Sequence, residues 1–222
     1  ADRLDALRHE VEQRELPGVI LPVVADVTDP EAMRRAVALT LAEFNRLDVL
    51  VANAGIGHRG PLVEAEWADI ETVLRTNIDG VIHSVRAAVP AMRASGGGHI
   101  VIVSSVLGPL PGPYVSIYSA SKAAVDGLGR ALRAEMRADR IYVSVLWVGQ
   151  ADTEFAERRL GQAGHVAPRW PPMKPEQVAG GIARALERKP RTMTLRWRDS
   201  ALLWAGRHFP ALAERLLARI YG

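Results

Sequence analysis

The feature that most constrains this chain is a regular alternation of short apolar runs with amphipathic helical stretches. Residues 19–24 read as a buried strand, and 48–52, 99–104 and 141–148 repeat that pattern. Between the first two, Asp29-Pro30-Glu31 supplies an N-cap, a first-turn proline and a first-turn acid. Met33, Ala36, Val37, Thr40, Leu41 and Phe44 follow at three-and-four spacing, which is one helix face. Further helices are predicted over about 66–94, 115–138 and 175–188, with a short strand near 192–195 and a helical tail after Pro210. Strand–helix alternation predicts an α/β fold whose parallel sheet is covered on both faces. A length of 222 residues, 48% of them hydrophobic, suits a single domain with a large core. Residues 1–195 are expected to form that domain and 196–222 a helical tail.

Composition narrows the function classes. There is no cysteine, so disulfides and thiolate metal sites are excluded, and no metal site is expected. No run of about 18 apolar residues occurs. The opening ADRLDALRHE is polar and helical in pattern, unlike a signal peptide, and a cytoplasmic protein is expected. A net charge of +3 raises nucleic-acid binding. The cations are interleaved with acids, however, as in EAMRRAVALTLAEFNR, and no zinc-finger spacing or RNA-binding aromatic motif occurs, so no nucleic-acid partner is expected. Among 28 cations only Lys122, Lys174 and Lys189 are lysine. In so arginine-biased a chain, each lysine invites the question of what arginine could not do there.

In a parallel sheet, ligands bind beyond the carboxyl ends of the strands. The polar or glycine-rich segments at those ends are 25–27, Asn53-Ala54-Gly55, Ser104-Ser105 and the loop from Gly149. Tyr118 and Lys122 stand four apart in YSASK at a helix start, so both occupy one face. A nearby ammonium lowers a phenol's pKa from about 10 toward a usable general acid/base. An interfacial tyrosine beside a solvated lysine has the same spacing. Ser105 lies 13 positions earlier, at the end of a strand, where a hydroxyl can bond a substrate oxygen or simply end the strand. Asn77, in TNIDG, sits with Gly80 inside a helical stretch that neither residue favours, which marks a kink or a functional polar group.

In order and spacing, Asp26-Val27, Asn53-Ala54-Gly55, Asn77, Ser105, Tyr118/Lys122 and Gly149 with Thr153 resemble the short-chain dehydrogenase/reductase family over roughly residues 1–190. The resemblance implies a Rossmann-like, doubly wound parallel sheet and an oxidoreductase moving a hydride between NAD(P) and a small alcohol or carbonyl compound. In that picture Tyr118 exchanges a proton with the substrate oxygen and Ser105 orients that oxygen. Lys122 lowers the Tyr118 pKa and binds the nicotinamide ribose, and Asn77 holds a water linking Lys122 to solvent. Asp26 and Val27 flank the adenine. Asn53, Ala54 and Gly55 line the cofactor cleft, with Gly149 and Thr153 on the nicotinamide or diphosphate side. The resemblance also implies a homo-oligomer built through the helices near 66–94 and 115–138.

The chain departs from the family pattern in places. The family's first strands and its T-G-x-x-x-G-x-G turn, the first βαβ portion, have no counterpart in residues 1–222. The polypeptide is therefore expected to extend before Ala1. The residue selecting NAD or NADP falls in that portion; an ADRL-type start leans toward NADP. Ala52 replaces a frequent asparagine, and Val148-Gly149 replaces Pro-Gly behind Trp147, which is expected to narrow the pocket. The loops at 106–115 and 149–172 are expected to set the substrate, and the latter, punctuated by Gly149, Gly161, Gly164 and Pro168, to be a mobile lid. Leu107, Leu110, Trp147, Phe155 and Trp170 suggest an apolar substrate, with Arg158, Arg159 and His165 as solvated lid residues. A catalytically inactive binding or regulatory protein is the alternative reading. Leu212, Leu216 and Ile220 form a stripe near Trp204 and Phe209. The tail is expected to pack on the body or a partner subunit, a membrane-surface contact being the other possibility.

Overall fold

The computed structural model describes residues 2–15, 17–162 and 171–221. Helix α1 (Asp2–Gln13) is followed by an extended segment and then α2 (Pro30–Phe44). The α2 start is the one its sequence announces: the Asp29 carboxylate accepts from the Glu31 N–H, and Asn45 closes the helix in the left-handed conformation. Strand β1 (Val49–Ala52), a two-residue β2 (His58–Arg59), α3 (Trp67–Leu74) and α4 (Gly80–Ala94) come next. Then follow β3 (Gly98–Ser105), α5 (Ser116–Glu135), β4 (Ile141–Val148), β5 (Leu160–Gly161), α6 (Pro175–Arg188), β6 (Thr192–Thr194), α7 (Trp197–His208) and α8 (Pro210–Tyr221).

The main sheet has the order β1-β3-β4-β6, with every pair parallel. Side chains alternate across it as the pleat requires. Ile100, Ile102, Val143 and Val145 enter one core with Val85, Ala88 and Met92 of α4 and Val125 and Leu132 of α5. Val101, Leu146 and Val148 enter a second core with Ala185, Val178 and Ile182 of α6. Helices thus cover both faces, giving the expected Rossmann-like sheet in a single domain.

Three expectations need correction. Residues 19–24 form no strand; the segment is unpaired, with Val19 and Val24 exposed. An apolar run becomes a strand only beside a partner that takes its backbone groups, and no described strand lies there. The helix expected over 66–94 is interrupted by a π-helical turn at Arg75–Asp79, centred on Asn77. The tail is two helices, and it begins at Trp197 rather than after Pro210.

Candidate active site

The carboxyl ends of β1 and β3 and the start of α5 bring the candidate residues together. Ser105 is the last residue of β3 and is buried. Its hydroxyl accepts from the Leu107 N–H at 3.2 Å and acts on the Tyr118 phenol by lowering its pKa. Tyr118, in the first turn of α5, is half-buried, with Phe155 against its ring at 5.7 Å between centroids. Lys122 lies one turn further on and is buried; its Nζ donates to the Val103 carbonyl at 3.0 Å and sits 5.8 Å from the centre of the Tyr118 ring.

Desolvation dominates both titrations. Burial pushes the Tyr118 phenol up to about 12, partly opposed by the Ser105 hydrogen bond. Burial brings Lys122 down to about 8, with the Asp126 carboxylate, one turn along the same helix, pulling the other way. The expected lowering of the phenol by Lys122 is thus absent from this arrangement: the ammonium is turned toward Val103.

Asn77 is fully buried, and its amide is committed to protein partners. Its Oδ1 accepts from the Ile56 N–H at 2.8 Å, and its Nδ2 donates to the Ile56 carbonyl at 3.0 Å and to Ser121 Oγ at 2.9 Å. Both amide hydrogens are used, and Oδ1 keeps one lone pair beyond the Ile56 bond. The group ties the turn after β1 to α5. Ser121 completes the tie by donating to the Tyr118 carbonyl at 2.7 Å. Ile56 and Ser121 were not foreseen as site residues; the one sequence hint is that Ser121 immediately precedes Lys122.

Gly55 stands between these groups. A Cβ there would lie 3.2 Å from Asn77 Oδ1 and 3.4 Å from Lys122 Nζ. A cavity of about 460 Å³ opens beside it, lined by Gly55, Ile56, Thr153, Glu154, Phe155, Arg158 and Pro175. Thr153 therefore reaches the site, its hydroxyl accepting from the Phe155 N–H at 3.4 Å. Arg158 also lines it and pairs with Glu154 at 2.8 Å, its side chain exposed as expected of a solvated residue. Asn53 and Ala54 are exposed at the end of β1.

Asp26 and Val27 lie further along, beside α4. Asp26 Oδ1 accepts from the Thr28 N–H and hydroxyl, which hold the carboxyl below its usual range. Val27 is seated on Gly80, where a Cβ would come within 2.7 Å of Val27 Cγ2, so the glycine serves close approach rather than a kink. Gly149 is a point of close packing. A Cβ there would meet Asp199 Oδ2 at 2.6 Å, because the buried Arg196–Asp199 ion pair packs on it. Trp147 does not narrow the cavity: its indole N–H donates to Asp126 at 2.9 Å, and its ring packs on the core.

The described part of the expected lid is fastened at both ends. Leu160–Gly161 pairs with His58–Arg59, and Ala151 bridges to the buried Met173. Gly164, His165, Pro168 and Trp170 fall outside the described residues.

The open backbone at Gly55, the second Asp26 carboxyl oxygen and the spare Lys122 ammonium protons fit a dinucleotide laid along the strand ends. The family model for short chain dehydrogenases matches residues 1–163. The chain is 37% identical over 142 residues to the 3-ketodihydrosphingosine reductase of Bacteroides thetaiotaomicron, a match covering 64% of this chain and 53% of that protein. It is 35% identical over 182 residues to the 3-oxoacyl-[acyl-carrier-protein] reductase of Thermotoga maritima, covering 80% and 73%. The alcohol dehydrogenase of the archaeon Thermococcus sibiricus, solved with 5-hydroxy-NADP, superposes with a TM-score of 0.74 at 26% identity, over 88% of this chain and 81% of that one.

Proposed function

The chain belongs to the short-chain dehydrogenase/reductase family, and from that premise we propose that it is an NAD(P)-dependent oxidoreductase acting on a small apolar carbonyl or alcohol compound. The observation that carries this reading is the placement of Ser105 at the end of β3 and Tyr118 in the first turn of α5, with the buried Lys122 Nζ 5.8 Å from the centre of the Tyr118 ring. When bound, the nicotinamide supplies or accepts the hydride. In the direction of reduction Tyr118 gives its phenolic proton to the substrate oxygen as the carbon–oxygen double bond becomes a single bond. A phenol at about 12 is protonated at neutral pH, which suits that donor role. Ser105 orients the oxygen and stabilises its developing charge. Lys122 has spare protons for a ribose hydroxyl. Asp26, Val27, Asn53, Ala54, Gly55 and Thr153 are the residues proposed to hold the cofactor, and Gly149 supports that cleft from behind.

Apolar groups, Ile56, Phe155 and Pro175, favour an apolar substrate. The relatives named as reductases of a keto and an oxo compound support a ketone. NADP is favoured by the solved complex and by the ADRL start. The test is oxidation of NADPH and of NADH by the full-length protein with a series of aliphatic ketones. Turnover with NADPH is expected. Absence of turnover together with absence of calorimetric binding of both cofactors would remove the proposal.

A further inference from the structure

Helices α7 and α8 form a hairpin at the carboxyl end of the chain. Leu217 is buried, and α8 packs against α7. The outer side is apolar and open. Trp197 is 76% exposed, Trp204 60%, Phe209 54%, Leu212 66% and Leu216 50%. Phe209, Leu212 and Leu216 recur at spacings of three and four, which is one stripe. Trp204 adjoins it, edge-on to Phe209 at 6.1 Å. Of the two expected places for the stripe, the body of this chain does not cover it; the Ile220 side chain lies outside the described residues.

Cations predominate around the stripe. Arg198, Arg207, Arg215 and Arg219 are exposed, and Arg198 lies 5.6 Å from the centre of the Trp197 ring. The acids of residues 196–222 are Glu214 and Asp199, and Asp199 is buried against Arg196.

We propose that the α7–α8 hairpin docks on an anionic lipid surface, lying in the headgroup layer without crossing it. Each helix has 12 residues, about 18 Å at 1.5 Å per residue, against about 30 Å of hydrocarbon. No described helix is long and apolar enough to span. Tryptophan and arginine, each with an apolar body and a polar end, suit the interface. A second copy of this chain is a poorer occupant. It would present the same arginines, setting like charges together across a two-fold contact. Helix α7 also touches the loops around the cleft at both its ends. Gly206 meets Leu110, Arg196 donates to the Pro171 carbonyl at 2.8 Å, and the Arg196–Asp199 pair abuts Gly149. Docking would therefore bring those loops to the bilayer, from which an apolar substrate could enter; that consequence, unlike the docking, rests on the oxidoreductase reading.

Flotation of the full-length protein with phosphatidylcholine vesicles, with and without phosphatidylglycerol, tests the proposal independently of activity. Binding is expected on the anionic vesicles and weakening with salt. Arg215→Ser with Arg219→Ser should lower it about 25-fold, near fivefold per arginine. Trp204→Ser with Leu212→Ser should lower it at least tenfold. All four positions are exposed, and unchanged thermal midpoints would verify the fold of both variants. The proposal is overturned if the wild type stays unbound at low salt, or if both folded variants bind as it does. It is equally overturned if the variants split a dimer and leave vesicle binding unchanged.

Discussion

At the scale of single residues the site is governed by desolvation. Tyr118→Phe keeps the ring against Phe155 and removes only the transferable proton. Its kcat should fall by about 10²–10⁴-fold, while calorimetric NADPH affinity stays within about twofold. Retention of a tenth of the wild-type rate would refute the proton-transfer role. Lys122 carries a separate signature. Its folded pKa of about 8 lies below its ordinary 10.5, so the unfolded chain binds more protons between those values. Stability from this group therefore rises with pH across that window and is lost as pH falls toward 8, by up to about 3 kcal/mol. Urea midpoints of wild type and Lys122→Met at pH values below and above the window should show Met gaining more at the lower pH. A difference independent of pH would mean that Lys122 is not held as described.

At the scale of elements, the turn after β1, the π turn and α5 act as one unit through Asn77. Asn77→Asp keeps an acceptor for the Ile56 N–H but loses both donors, to the Ile56 carbonyl and to Ser121. Leaving those buried partners unmatched should cost about 2–4 kcal/mol, read as a lower urea midpoint, and should raise the KM for NADPH by moving Gly55. An unchanged midpoint would show that the tie is dispensable. A composition argument could mark Asn77 and Gly80 as poor helix formers, but could not say why. The reasons are contacts 21 residues away for Asn77 with Ile56, and 53 for Gly80 with Val27. Likewise Trp147 and Gly149 were legible as departures from a family pattern, while their partners Asp126 and Asp199 were not.

At the scale of the whole molecule, α5 exposes a run of small residues. Ala120, Ala123, Ala124, Gly127 and Ala131 are exposed along it, and the space beside Gly127 is open. Small residues permit close approach of a second helix, in keeping with the oligomer expected from the family. The wild type should scatter light as a dimer or tetramer at micromolar concentration, and Ala124→Arg should give a smaller species. A monomeric wild type would end that reading.

The sequence by itself determined the alternation of elements, the apolar faces of α2 and the sheet strands, and the order of Asn77, Ser105, Tyr118 and Lys122. These depend on local periodicity and on spacing along the chain, which a sequence displays directly. Tertiary structure decided what depends on neighbours remote in the chain. Residues 19–24 are as apolar as a strand, yet they lie unpaired because strand formation needs a partner's backbone. Lys122 and Tyr118 are four residues apart as required, yet the Val103 carbonyl takes the ammonium and burial sets both pKa values. The Phe209–Leu216 stripe is amphipathic in sequence, but only the packing of α8 on α7 left it facing outward. Periodicity fixes which side chains share a face; the surrounding fold fixes what that face meets.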